Sequence, residues 1–224
     1  MKTFDNEWER VHRSKSWGRY PAEEVVRFVA RNYFSSDRKN VRILDLGCGG
    51  GANSWFLNRE GFKSISFDGS LTAAQKCRDF LAAENLPAMV FQADAASLPL
   101  PNETIDCIID GAAISANSLE NISKILCEAY RILKPGGKIF STGLFKRSMT
   151  GYGSGHKIEE NTFRNITNGA VANIGTVHFF DENEIKELYR SAGFDQIEIE
   201  SLERTDNRQK TLVAYFIASA QKNQ

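Results

Sequence analysis

No apolar run in the 224 residues approaches the ~20 that a membrane-spanning helix needs. The opening segment MKTFDNEWERVHRSK is too charged for a secretory signal, so the expectation is a soluble, cytoplasmic protein with no membrane partner. Neither sign of charge is in excess: 28 basic residues face 28 acidic ones. With no cationic tract, an extended nucleic-acid track lacks its electrostatic footing, and no nucleic-acid partner is expected. The four cysteines, Cys48, Cys77, Cys107 and Cys127, are far apart and show no paired metal-ligand spacing, so no metal site is expected. Cys77, Cys107 and Cys127 read as small buried hydrophobes. Repeats and low-complexity segments are absent as well. The length suits one substantial α/β domain and falls short of a second full-sized one. The expected organisation is a single domain over 1–224, with an N-terminal arm and helix at 1–36 and an insertion at 146–177.

The most informative stretch present is VRILDLGCGGGANSWFL, Val41 to Leu57. An apolar strand carrying Asp45 near its end runs into Gly47, Gly49, Gly50 and Gly51, and a helix follows. Glycine belongs in such a turn because the backbone must enter conformations closed to residues with a Cβ, and because a ligand must approach bare backbone. Cys48 lies within the turn, where a small side chain can tuck beneath the loop. Strand and helix signals then alternate, as in a mainly parallel sheet covered on both faces. Strands are predicted to end at Asp68, Asp94 and Asp110. Ser70 and Ser118 are placed to cap helices, and a fifth strand is predicted over Lys138–Phe145. Lys146 to Thr176 shows no sustained periodicity and is too long for an ordinary connection. Asp181, with Glu184 three residues on, starts a helix, and two strands, Gln196–Leu202 and Thr211–Ala218, form a closing hairpin. Ahead of the core, Pro21 starts a helix with Val25, Phe28, Val29 and Tyr33 on one side.

Read strictly, Gly47, Gly49 and Ala52, with Asp68 about 20 residues on, satisfy a dinucleotide-binding pattern. The order of the glycine turn, Asp45, Asp68, Asp94 and YRILKPGGKIFSTG (Tyr130–Gly143) resembles the class I S-adenosylmethionine-dependent methyltransferases from Val41 to Phe145. The resemblance implies a Rossmann-like, doubly wound sheet of seven strands with the last antiparallel. It implies S-adenosylmethionine as cofactor, with Asp68 on the ribose hydroxyls, Asp94 and Ala95 at the adenine edge, and Gly47 and Gly49 against the methionyl and ribose parts. Cys48 and Gly69 neighbour these contacts, Asp45 stays near the cofactor's ammonium, and Asp110 completes the set of acids at strand ends. Trp17 and Tyr20, in an arm too aromatic to be a linker, are expected to close over the cofactor.

Outside the cofactor set the candidate bases are His12, His156 and His178, with Tyr20 and Tyr152 as helpers. His156 and Tyr152, in the glycine-flanked insertion, are the catalytic candidates, and the insertion is the expected acceptor lid. WGRYP, ISANS, YGSGHK, HFF and DNRQK more loosely resemble bacterial small-molecule methyltransferases of sugar and surface-glycan biosynthesis. That resemblance implies a small polar acceptor, such as a sugar or nucleotide-sugar. Two alternatives stay open: a non-catalytic S-adenosylmethionine-binding subunit and an NAD-linked oxidoreductase. Nothing in the sequence specifies the acceptor atom or the oligomeric state.

Overall fold

The computed structural model describes residues 3–15, 17–87 and 89–223. In chain order the elements are α1 (Glu7–Ser14), α2 (Glu23–Tyr33), β1 (Arg42–Leu46), α3 (Ala52–Arg59), β2 (Lys63–Asp68), α4 (Leu71–Ala83), β3 (Met89–Gln92) and β4 (Ile105–Gly111). They continue with α5 (Leu119–Ile132), β5 (Leu133–Phe145), β6 (His156–Glu159), β7 (Thr162–Arg164), β8 (Val177–His178), α6 (Glu182–Ser191), β9 (Asp195–Asp206) and β10 (Thr211–Gln221).

Seven strands form one sheet in the order β3-β2-β1-β4-β5-β10-β9. The first five run parallel, and β10 lies antiparallel between β5 and β9. This is the expected doubly wound arrangement. Alternation along the strands assigns each face its own core. Leu44, Leu46 and Ile108 face α5 and α6 in one cluster, while Ile43, Cys107 and Ile109 face α2 and α3 in another. Leu46 is level with Phe67 on one side and Asp110 on the other. The carboxyl ends of the central strands therefore open onto a common crevice, where ligands bind in open α/β sheets.

The predicted caps form: the hydroxyls of Ser70 and Ser118 and the carboxylate of Asp181 accept backbone N–H groups of Ala73, Asn121 and Glu184. Three expectations need correction. β5 begins at Leu133, because Ile105 pairs with Leu133 ahead of the irregularity that the Pro135–Gly137 segment introduces. The final hairpin is longer than its apolar pattern, since backbone pairing continues as far as Thr211 with Asp206 where the side chains have turned polar. Cys127 is exposed on α5, unlike Cys77 and Cys107.

The segment 146–177 is not a structureless loop. β6, β7 and β8 form a small separate sheet. Met149, Phe163, Ile166, Val171, Ile174 and Val177 bury themselves against Val11 and Val213 as a second core. Its strands are two to four residues long, too short to print a periodicity in the sequence. Among the described residues, no helix is long and apolar enough to cross a membrane.

Candidate active site

The glycine turn forces its own sequence. Gly47 has φ +68°, and a Cβ there would lie 2.4 Å from the Ala113 Cβ. Gly51 has φ +94°, with a Cβ placed 2.9 Å from the Cys77 sulfur. Bare backbone at Gly47, Gly49 and Gly50 is thereby presented to a cavity of about 480 Å³ at the carboxyl end of the sheet.

Asp68 stands at the floor of this cavity, 6% exposed rather than at an open strand end. Its Oδ2 accepts the Gly49 N–H at 2.9 Å and its Oδ1 accepts the Ser70 N–H at 2.8 Å. Each oxygen keeps a second lone pair, a donor set that fits a ribose diol. Gly69, Ala93, Ala95, Leu46 and Phe67 supply the small and apolar surface beside it. The residues present therefore fit S-adenosylmethionine: Asp68 would hold the ribose and the alanines would lie at the adenine. When bound, the cofactor supplies an electrophilic methyl group carried on sulfonium.

Burial pushes Asp68 up to about 6, opposed by the Ser70 and Gly49 N–H groups and assisted by the Glu9 charge. The ionised carboxylate is the form that accepts ribose hydroxyls, so affinity should rise with pH through about 6 and then level off. Between pH 7.5 and pH 5, S-adenosylhomocysteine binding is expected to weaken about tenfold, as the competent fraction shrinks. The contribution of Asp68 to folding has the opposite sign. A raised carboxylate stabilises the fold below its ordinary value and loses that contribution as pH rises through about 6. Titration calorimetry across this range checks the trend; a flat affinity would detach ribose binding from Asp68.

The remaining acids divide. Asp45 and Asp110 stand behind the cavity rather than in its wall, which corrects the expectation of cofactor contact. Asp45 is fully buried and accepts from Asn53 Nδ2 at 3.3 Å and Ser54 Oγ at 2.5 Å, bracing the start of α3. Asp110 accepts the N–H groups of Ala113 and Ile114 at 2.8 and 3.2 Å and so shapes the turn after β4. Burial raises them to about 6 and about 7 respectively. Asp94 accepts the Ala96 N–H at 3.1 Å and binds the N-terminal arm, taking the Thr3 N–H at 2.9 Å and also the Thr3 hydroxyl. Its neighbours Ala93 and Ala95 line the cavity, and the Phe4 ring lies over Gly69.

Trp17 and Tyr20 do reach the cavity. Trp17 packs near Trp8 and His12, and Tyr20 meets Trp55 edge-on at 5.6 Å. Cys48 lines the cavity too. Its contact with Cys77 and its burial push the thiol upward, which suits a packing role.

His156 and Tyr152 are not brought to the cavity wall. His156 is exposed on β6 opposite Arg164. The Tyr152 hydroxyl donates to Asn161 at 2.8 Å, and its ring packs edge-on against Phe163 and Phe179. Both serve the small sheet of the insertion. His178 is buried beside Thr162, with Nδ1 2.7 Å from its hydroxyl. Of the three histidines only His12 lines the cavity, next to Gly49. Burial, reinforced by Lys76 and opposed by Glu9, lowers its pKa.

Several wall residues had no sequence signal of their own. Glu24, Thr142 and Tyr215 form a polar cluster in the wall, and Met149, Val171, Ile174, Val177 and Val213 form an apolar one. A trace was available for Glu24, which lies one turn before Phe28 on the helix that Pro21 introduces.

A model described as a methyltransferase domain matches residues 43–137. That match covers less than half of the chain; the order of the motifs agrees with it, and the sheet has the arrangement of the class I S-adenosylmethionine-dependent methyltransferases. A tRNA N(3)-cytidine methyltransferase of Gallus gallus is 25% identical over 88% of this chain, which spans 55% of that protein. A ubiquinone/menaquinone biosynthesis C-methyltransferase of Pectobacterium carotovorum is 26% identical over 73% of the chain and 70% of its own length. Among solved structures, a S-adenosylmethionine-dependent methyltransferase of Methanosarcina mazei superposes with a TM-score of 0.72 at 23% identity, covering 87% of this chain and 97% of that one.

Proposed function

We propose that the chain transfers the methyl group of S-adenosylmethionine to a small acceptor seated in the apolar half of the cavity, with the segment 146–177 as the acceptor's outer wall. One observation carries this reading: a single cavity joins the glycine turn and Asp68 to Met149, Val171, Ile174 and Val213. Methyl transfer from a sulfonium is a direct displacement. Holding the acceptor in line and excluding water can therefore supply much of the rate.

The wall also bears on the acceptor's character. A sugar or nucleotide-sugar, the class suggested by the outer sequence motifs, would leave many hydroxyls against surface unable to hydrogen-bond them. An acceptor with an apolar body is favoured instead. Zero net charge and an acceptor cavity of about 480 Å³ favour a small molecule over tRNA. The test supplies methyl-labelled cofactor with pooled lipophilic amines and phenols, nucleotide-sugars and tRNA. Label is expected in the lipophilic pool. Label in nucleotide-sugar or tRNA alone would overturn the reading, and tight cofactor binding without transfer to any pool would favour a non-catalytic subunit.

A further inference from the structure

Glu24 is 6% exposed, sits in the first turn of α2 and lines the cavity. Its two oxygens are used unequally. Oε1 accepts the Thr142 hydroxyl at 2.7 Å and the Tyr215 hydroxyl at 2.9 Å. Among the described residues no donor is within hydrogen-bond geometry of Oε2, and no Lys, Arg or His nitrogen is at ion-pair distance from the group. A buried carboxylate with no cation is costly. Asp45, Asp68 and Asp110 differ from it in purpose: each holds a turn or a helix start. Glu24 is held by two side chains that themselves line the cavity, which fixes its orientation and leaves one oxygen for an incoming donor. Aromatic faces that favour a cation, Trp8 and Phe145, border the same space.

We propose, resting on the methyl-transfer reading, that Glu24 is the acceptor-binding carboxylate and that the acceptor is an amine on an apolar body. The ammonium first gives a proton to water, and the neutral amine then donates one N–H to Oε2, which turns its lone pair away from the carboxylate. As the nitrogen–methyl bond forms, the sulfur–methyl bond breaks with its electron pair remaining on sulfur. The positive charge passes from sulfur to nitrogen, and the methylated ammonium then releases a proton to water. Charge thus grows on the atom nearest Glu24, so the carboxylate stabilises the transition state more than the bound amine. Thr142 and Tyr215 are positioning residues that keep Oε1 occupied and Oε2 free.

The probes are tryptamine, phenethylamine and octylamine, each paired with the alcohol of the same skeleton. The wild-type protein is expected to methylate one or more amines and to bind it at least tenfold more tightly than its alcohol. Glu24→Gln keeps the shape and a carbonyl for the two hydroxyls. It should lower kcat/KM for the amine about a hundredfold through loss of the charge-assisted bond, with S-adenosylhomocysteine affinity within twofold of wild type. Should this variant fail to fold, the wild-type amine-to-alcohol comparison still decides. Equal binding of amine and alcohol, or methylation of the alcohols alone, overturns the assignment. A loss of S-adenosylhomocysteine affinity in Glu24→Gln would hand Glu24 to the cofactor's own ammonium instead. Transfer to non-amine acceptors alone would remove the amine and keep the methyltransferase, whereas absence of any S-adenosylhomocysteine binding would remove both.

Discussion

Asp68→Ala should weaken S-adenosylhomocysteine binding by about 2–4 kcal/mol, because two hydrogen bonds to a carboxylate are lost and water restores only part of their worth. In affinity this is about 30- to 1,000-fold. The structure adds a second effect, since the same carboxylate holds the Gly49 and Ser70 N–H groups. Truncation leaves both donors without their acceptor and loosens the turn that presents bare backbone to the cofactor. The melting temperature should therefore fall by a few degrees in the absence of ligand. Calorimetric titration beside a thermal scan separates the two effects. A folded variant with an unchanged dissociation constant would place the ribose elsewhere.

Gly47→Ala is expected to damage both the fold and the cofactor turn. The residue would be held at φ +68°, a conformation that costs a residue with a Cβ about 1–2 kcal/mol. Its new methyl would also meet Ala113 at 2.4 Å, an overpacking worth about 1–3 kcal/mol more. Ala113 cannot retreat freely, because its N–H is fixed to buried Asp110. Denaturant unfolding should show a total loss of about 2–5 kcal/mol, a large share of the ~5–15 kcal/mol that a domain has. If β1 yields instead, the loss appears as abolished cofactor binding. A variant with native stability and native affinity would show that the turn has slack which the packing of Gly47 denies.

The parallel half of the sheet was legible because its signals are local and redundant. β1, β2 and β4 are apolar runs with an acid at or near the end, and Ser70 and Ser118 cap α4 and α5. The acids were legible as a set but not by role. Asp45, Asp68 and Asp110 look alike in sequence, and only the packing shows that two of them brace turns while one faces the cavity. The acceptor side was hardest to read. Tyr215 comes from the last strand, Thr142 from the fifth and Glu24 from the second helix, so their meeting depends on long-range pairing that no spacing encodes. The insertion, read from its glycines as an acceptor lid, holds ring packing among Tyr152, Phe163 and Phe179 that no spacing announces.

The arm ahead of α2 joins regions that the sheet keeps apart. Thr3 is fastened to Asp94, which follows β3. Glu9 accepts the hydroxyls of Ser70 and Thr72 at the start of α4. Asp5, between them, accepts the N–H and hydroxyl of Thr176 and pairs with Arg164 in the insertion. One short piece of chain is thus bolted both to the side of the cavity proposed for the cofactor and to the wall proposed for the acceptor. A strap shared by two sites makes their occupancies speak to each other, and such coupling is reciprocal. Whatever factor the cofactor adds to acceptor affinity, the acceptor must return to the cofactor. Severing the Asp5 bolt with Asp5→Ala should shrink that factor while leaving each site in place.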